Sequence, residues 1–108
     1  MLFELRTYYC APTRLPALQD RFRKHTLGFF KKYGIEQVAF WTTLVGEDNH
    51  TLGYILKWNS MTEREARWNA FQADPDWIAV RTETERERPI VVKVENSFLA
   101  PTDFSALR

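Results

Sequence analysis

Two hydrophobic periods alternate along the chain, and their order is the feature that most constrains its fold. Residues 2–10, LFELRTYYC, alternate with a period of two, which predicts a β-strand. Residues 14–33 carry apolar side chains at spacings of three and four, which predicts an amphipathic helix. Thr13 is the predicted N-cap of this helix, and Gly34 suits a left-handed C-terminal cap.

The same order of periods returns in the second half of the chain. Residues 37–45 and 50–58 are rich in β-branched and aromatic side chains and flank the turn cluster 46–49, which predicts an antiparallel hairpin. Ser60 and Glu63 have the spacing of a capping box, so a helix is predicted to start there.

This second helix is predicted to break at Asp74-Pro75, because Asp74 suits a helix cap and Pro75 suits the first helical position. After the break we expect the helix to continue through the charged stretch 82–88. Residues 90–99 alternate again and form the predicted fourth strand.

The resulting order, β-α-β-β-α-β, predicts a ferredoxin-like α+β fold with helices on one face of a four-stranded antiparallel sheet. We expect one domain over residues 1–100 and a C-terminal tail over residues 101–108. Strands two and three carry large apolar groups on both faces, and such a sheet has to be covered on both. We therefore expect a homodimer in which a second copy covers the face opposite the helices. On strand one we expect Glu4, Arg6 and Tyr8 on that opposite face.

Composition excludes several classes of partner. The net charge is +1, so no overall field favours a nucleic acid or an anionic membrane surface. No apolar run approaches the ~20 residues of a membrane span, and no secretory signal pattern stands at the N-terminus. Cys10 is the single cysteine, which excludes an internal disulfide and indicates an intracellular thiol. We expect a cytoplasmic protein.

Aromatic residues make up 15% of the chain, more than a core of this size readily absorbs, which predicts a pocket or an oligomer interface. Glu4, Arg6 and Tyr8 alternate on one face of the first strand. Two interpretations stay open for them. They place a charge pair and a phenol inside a pocket, or they form a structural ion pair across the dimer.

His25 lies on the apolar stripe of the first helix, where it is a candidate base or metal ligand, or a packed core histidine. No histidine or carboxylate stands four residues away from it, so we expect no metal site, and nothing in the sequence requires a cofactor. The basic residues of this helix, Arg21 among them, predict a solvated outer face.

The stretch RWNAFQADPDW places Trp68 and Trp77 around the predicted helix break. We expect both to pack at a pocket wall, where buried indole N–H groups need partners that a ligand could supply. Helix capping accounts for the aspartates here and leaves no carboxylate for catalysis. Trp41 and Tyr54 of the hairpin are further candidate ligand contacts.

Three segments, ELRTY at the start, FWTTLVGEDNHTLGYILKW in the hairpin and SMTEREARWNAFQADPDW around the helix break, resemble the NIPSNAP family. That family belongs to the dimeric α+β barrel superfamily. The resemblance implies a ferredoxin-like fold and a homodimer, and it implies no established reaction.

Two functional hypotheses follow. The first is a small-molecule-binding or interaction module, whose aromatic pocket binds a small aromatic or apolar ligand. The alternative, by analogy of fold, is a cofactor-independent oxygenase or isomerase. In the enzyme, Arg6 would polarise an oxyanion and Tyr8 or His25 would move a proton. The ligand-binding set would consist of these three residues with Glu4, Trp41, Tyr54, Trp68 and Trp77.

Overall fold

The computed structural model describes all 108 residues. Its elements are β1 (Leu2–Cys10), α1 (Leu15–Arg21), a π-helical turn (Phe22–Thr26), α2 (Leu27–Lys32), β2 (Glu36–Thr42), β3 (Thr51–Trp58), α3 (Met61–Ala73), α4 (Pro75–Thr84) and β4 (Val91–Leu99). The strands form one antiparallel sheet in the order β2-β3-β1-β4, which confirms the ferredoxin-like α+β fold. No helix combines the length and the apolar character that crossing a membrane requires.

The first helix runs without a break through α1, the π-helical turn and α2. Its predicted N-cap is wrong, because Thr13 has a φ of 70° and its hydroxyl accepts a hydrogen bond from Arg88 at 2.7 Å. Arg14 occupies the cap position without a side-chain hydrogen bond. The predicted C-terminal cap is confirmed, since Gly34 has a φ of 66°.

The π-helical turn decides which side chains of this helix face the sheet. Leu18, Phe22, Thr26 and Phe30 are buried, each four residues after the last. Four residues exceed one α-helical turn of about 3.6 residues, so this spacing would drift around a regular helix, and the wider π-helical turn absorbs the excess. As a result His25 is exposed, and the prediction of a packed core histidine is wrong.

The N-caps of α3 and α4 form as the sequence predicts, with one departure and one addition. Ser60 accepts from the Glu63 amide at 3.1 Å, and Asp74 Oδ1 accepts from the Asp76 amide at 2.8 Å. The Glu63 carboxylate, which a capping box would direct to the Ser60 amide, accepts from the Asn59 amide at 2.7 Å instead. The second Asp74 oxygen, which capping does not use, accepts from Lys32 Nζ at 2.7 Å and Tyr33 Oη at 2.5 Å. Asp74 therefore ties α2 to α4 as well as capping α4.

The charged stretch 82–88 departs from the prediction, because α4 ends at Thr84. Glu85 turns back toward the sheet, where its Oε1 accepts from the Ile90 amide at 2.7 Å and the Val91 amide at 3.3 Å. These bonds hold the start of β4 and use a carboxylate that a continued helix would leave in solvent.

The sheet presents to the helices the face opposite to the one expected. Tyr8, Phe40 and Tyr54 contact aromatic rings of the first helix, so the even-numbered face of β1 lies under the helices. Glu4 and Arg6 share that face and are buried. The alternation in β1 correctly predicts two faces, but the face with Glu4, Arg6 and Tyr8 lies under the helices and not opposite them. It can be buried there because partners from other elements satisfy its charges.

Candidate functional site

A buried carboxylate organises the space between the sheet and α3. Glu4 is fully buried, and its Oε2 accepts from Arg6 Nη1 at 2.8 Å, Asn96 Nδ2 at 2.9 Å and Arg64 Nη2 at 3.1 Å. Its Oε1 accepts from Trp58 Nε1 and Arg64 Nε, both at 3.1 Å. Burial acts to raise the pKa of this carboxyl, but hydrogen bonds from Arg64, Asn96 and Arg6 outweigh it and lower the pKa below its usual 4.5.

Arg6 connects this carboxylate to two phenols. Its guanidinium lies 4.3 Å from the centre of the Trp68 ring, and its Nε donates to the Tyr54 hydroxyl at 3.0 Å. The Tyr54 hydroxyl in turn lies 2.7 Å from that of Tyr8. Burial above all raises the pKa of Tyr54 well above 10.0, so this phenol stays protonated at neutral pH.

A cavity of about 170 Å³ opens beside this network, between the first helix, α4 and the β1–β4 edge of the sheet. An engineered cavity of about 150 Å³ is known to bind benzene, so this volume suits one small ring. Half of the lining is apolar. The lining residues are Arg6, Tyr8, Arg21, Phe22, Thr26, Phe71, Gln72, Trp77, Arg81, Glu85, Val91 and Val94.

Two buried donors in this lining have no hydrogen-bond partner, namely Arg21 Nε and Trp77 Nε1. Both residues are only 5% exposed, and the Arg21 guanidinium lies 5.5 Å from the centre of the Trp77 ring. Arg21 Nη1 makes long contacts of 3.3 Å with Thr84 Oγ1 and 3.4 Å with Glu85 Oε2. Buried donors are rarely left unpaired, so this corner of the cavity is suited to an acceptor.

The structure brings together some of the predicted site residues and separates others. Arg6, Tyr8 and Trp77 line the cavity. Glu4, Tyr54 and Trp68 stand behind its wall, where they hold Arg6 through the contacts described above.

The two remaining candidates lie elsewhere. Trp41 is 42% exposed on the opposite face of the sheet, where its ring lies over Gly53. His25 lies in shallow surface grooves on the outer side of the first helix and does not line the cavity. Neither can therefore contact a ligand held between Arg21 and Trp77.

Arg21 is not identified as a site residue from the sequence, because its charge indicates a solvated face although the side chain is buried. Its one signal is its position three residues after Leu18 of the apolar stripe, the spacing at which two side chains of an α-helix share a face. No group of three or more histidine, cysteine or acidic side chains is arranged to hold a metal ion.

Comparison with known proteins places the chain in a family. The family model described as NIPSNAP matches residues 3–106. No functionally curated protein matches the chain.

Several solved structures have the same fold. A NIPSNAP family protein with unknown function from Agrobacterium tumefaciens is 25% identical, with a TM-score of 0.87 over 100% of this chain and 94% of that one. An uncharacterized NIPSNAP domain protein from Burkholderia xenovorans is also 25% identical, with a TM-score of 0.83 over 97% and 98% of the two chains. An antibiotic biosynthesis monooxygenase, at 10% identity and a TM-score of 0.61 over 94% and 99%, shares the fold alone. From the family match over nearly its whole length, the chain belongs to the NIPSNAP family.

Proposed function

We propose that this NIPSNAP protein is a small-molecule-binding module whose ligand occupies the cavity between the first helix, α4 and the sheet. The observation that carries the proposal is the lining itself, in which aromatic and aliphatic side chains surround a few convergent, buried polar groups. Apolar concave sites with a few placed donors are the usual form of a ligand site. The Glu4 network supports this role, because it fixes Arg6 at the cavity wall.

A matched pair of variants in β4 tests the proposal. Val94 lines the cavity, whereas Val92 of the same strand is 63% exposed and lies outside the lining. Val94→Phe should fill the space, while Val92→Phe adds the same ring outside it; phenylalanine is well tolerated in strands.

The measurement is fluorine-detected NMR with a library of fluorinated one-ring fragments. We expect fragments that bind the wild type and the V92F variant to lose binding in V94F. Equal binding by both variants, or no fragment bound by the wild type, would contradict a ligand in this cavity.

We also propose that the protein is a homodimer, formed through the sheet face that the helices leave open. Leu5 of β1 and Ile55 of β3 are cross-strand partners on that face and are only half-buried. Trp41 and Leu99 on the same face are each 42% exposed. Large apolar side chains left exposed on one face of a sheet are typical of an interface, and a second copy offers the same surface in return.

Sedimentation equilibrium tests the dimer. Trp41→Glu places a charge on the open face and should shift the mass from two chains to one, because an unpaired charge is costly in an interface. Leu44→Glu is the control, since Leu44 is 93% exposed in the β2–β3 loop and its charge stays in solvent. A wild-type chain that sediments as a monomer at micromolar concentration contradicts the dimer.

One observation favours the alternative, a cofactor-independent oxygenase or isomerase. The chain of hydrogen-bonding groups from Arg6 through Tyr54 to Tyr8 leads from a buried cation to a phenol at the cavity wall. Such a chain can place positive charge behind a donor that faces a developing oxyanion.

Bound fragments incubated with the protein in air and analysed by liquid chromatography with mass spectrometry, which separates isomers and detects added oxygen, test this alternative. Enzymatic turnover should fall by at least tenfold in Tyr8→Phe and stay unchanged in His25→Ala, whose side chain lies outside the cavity. Fragments that bind but are recovered unchanged support the binding module instead.

The cytoplasmic location expected from the sequence stays a prediction.

A further inference from the structure

The unpartnered groups in the cavity are all of one chemical kind. Arg21 Nε and Trp77 Nε1 are both donors, and no buried side-chain acceptor of the lining is left without a partner. A ligand that only donates hydrogen bonds would leave both of them unpaired. A ligand with an acceptor at this corner would satisfy them.

The charge of the cavity lining indicates that the ligand carrying this acceptor is an anion. The lining contains three arginines and one glutamate, a net charge of +2. The one carboxylate, Glu85, is shared between two backbone amides and a 3.4 Å contact to Arg21. Arg81 donates to the neutral side chain of Gln72 at 3.3 Å. Glu4 already pairs with Arg6, and Glu85 contacts Arg21 only at 3.4 Å, so the excess positive charge of the lining lies at Arg21 and Arg81. A negative ligand would therefore be bound in preference to a neutral one.

The side chains that line the cavity also limit which class of anion fits it. The Arg21 guanidinium lies 5.5 Å from the centre of the Trp77 ring, and Phe22, Phe71 and Tyr8 of the same lining supply apolar surface for the rest of the ligand. A phosphate would leave the aromatic lining without a contact. A planar carboxylate matches a guanidinium and can also accept from an indole N–H.

We propose that the ligand of this cavity is a one-ring carboxylate, whose anionic group binds Arg21 Nε and Trp77 Nε1 and whose ring packs on Phe22 and Phe71. The inference rests on the proposed binding function and adds the chemical class of the ligand. Arg21 and Trp77 are then the residues that select an anion over a neutral molecule of the same shape.

Isothermal titration with benzoate, benzamide and inorganic phosphate tests the inference on the wild-type protein. We expect benzoate to bind at least tenfold more tightly than benzamide, which has the same ring but no charge. Phosphate should bind at least tenfold more weakly than benzoate. Added salt should weaken benzoate binding more than benzamide binding.

Three variants test which residues produce the preference for benzoate over benzamide. Arg21→Met keeps the apolar stem and should lose at least tenfold in benzoate affinity while benzamide affinity changes little. Arg23→Met removes an exposed charge two residues away along the same helix and should leave both affinities unchanged. Trp77→Phe keeps an aromatic ring without the N–H group and should weaken benzoate by several-fold, which covers the case that R21M fails to fold.

The outcomes separate the two proposals. Equal affinity for benzoate and benzamide, or phosphate binding as tight as benzoate, overturns the carboxylate inference while leaving the binding function in place. Benzoate preference that survives in both R21M and W77F also overturns it. If neither one-ring compound binds the wild type, and the fluorinated fragments fail as well, both proposals fall.

Discussion

The buried Glu4 network yields the sharpest stability prediction. Glu4→Gln keeps the shape of the side chain but removes its charge, and it sets an amide NH2 group against donors. Arg6 and Arg64, whose side chains are only 10% and 12% exposed, then lose their shared anion. Removing one partner of a buried ion pair costs about 3–5 kcal/mol, because the remaining charge stays buried without compensation.

The control uses the same arginine and an exposed partner. Glu65 accepts from Arg64 Nη1 at 3.2 Å, but its side chain is 57% exposed. Exposed pairs contribute about 0–1 kcal/mol, so Glu65→Gln should cost several-fold less than Glu4→Gln. The comparison thus holds the cation fixed and changes only the burial of the anion.

Urea unfolding followed by tryptophan fluorescence gives both free energies, at one protein concentration because a dimer makes stability concentration-dependent. We expect E4Q to lose about 4 kcal/mol, out of the 5–15 kcal/mol typical of a domain. Equal losses in E4Q and E65Q would refute the argument that burial makes this carboxylate important.

Three further predictions follow from the same structure. The pKa of Glu4 is lowered in the folded state, so its contribution to stability is full above the usual pKa of 4.5 and is lost as pH falls through the folded value; the gap in unfolding free energy between wild type and E4Q should therefore shrink in acid. A Cβ added at Gly28, inside a helix, meets no atom within 4 Å, so Gly28→Ala should stabilise the folded protein by about 0.5–1 kcal/mol. Gly34 has a φ of 66°, so Gly34→Ala should destabilise the folded protein by about 1–2 kcal/mol. Thermal unfolding measures both changes. Burial raises the pKa of Cys10 to about 11, so a thiol reagent at pH 7 should label it at least tenfold more slowly in the native state than in urea.

The fold could be predicted from the sequence because its signals are local. Period-two segments, the capping groups of Ser60 and Asp74 and the glycine after the first helix each act over a few residues. The structure confirms a strand or cap for each of them. The order of these elements then leaves few alternatives to a ferredoxin-like sheet.

The candidate site could be predicted only in part, because its determinants are not local. Glu4 is buried inward because Arg64 and Asn96, 60 and 92 residues away, satisfy its charge, and no alternation in β1 reveals such partners. The π-helical turn places His25 outward, so a stripe that assumes regular α-helical geometry assigns it to the wrong side. Arg21 lies three residues after Leu18 on the buried side, but its charge indicates a solvated position.

The central position of β1 also sets the order in which the chain can fold. β1 is made first, yet it pairs on one side with β3 and on the other with β4. About 40 residues separate the ends of β3 and β4, so at about 5–20 residues per second a ribosome needs several seconds between completing the two partners. Until β4 emerges, a nascent chain has no neighbour for one edge of its first strand, and folding is completed only once synthesis has passed β4.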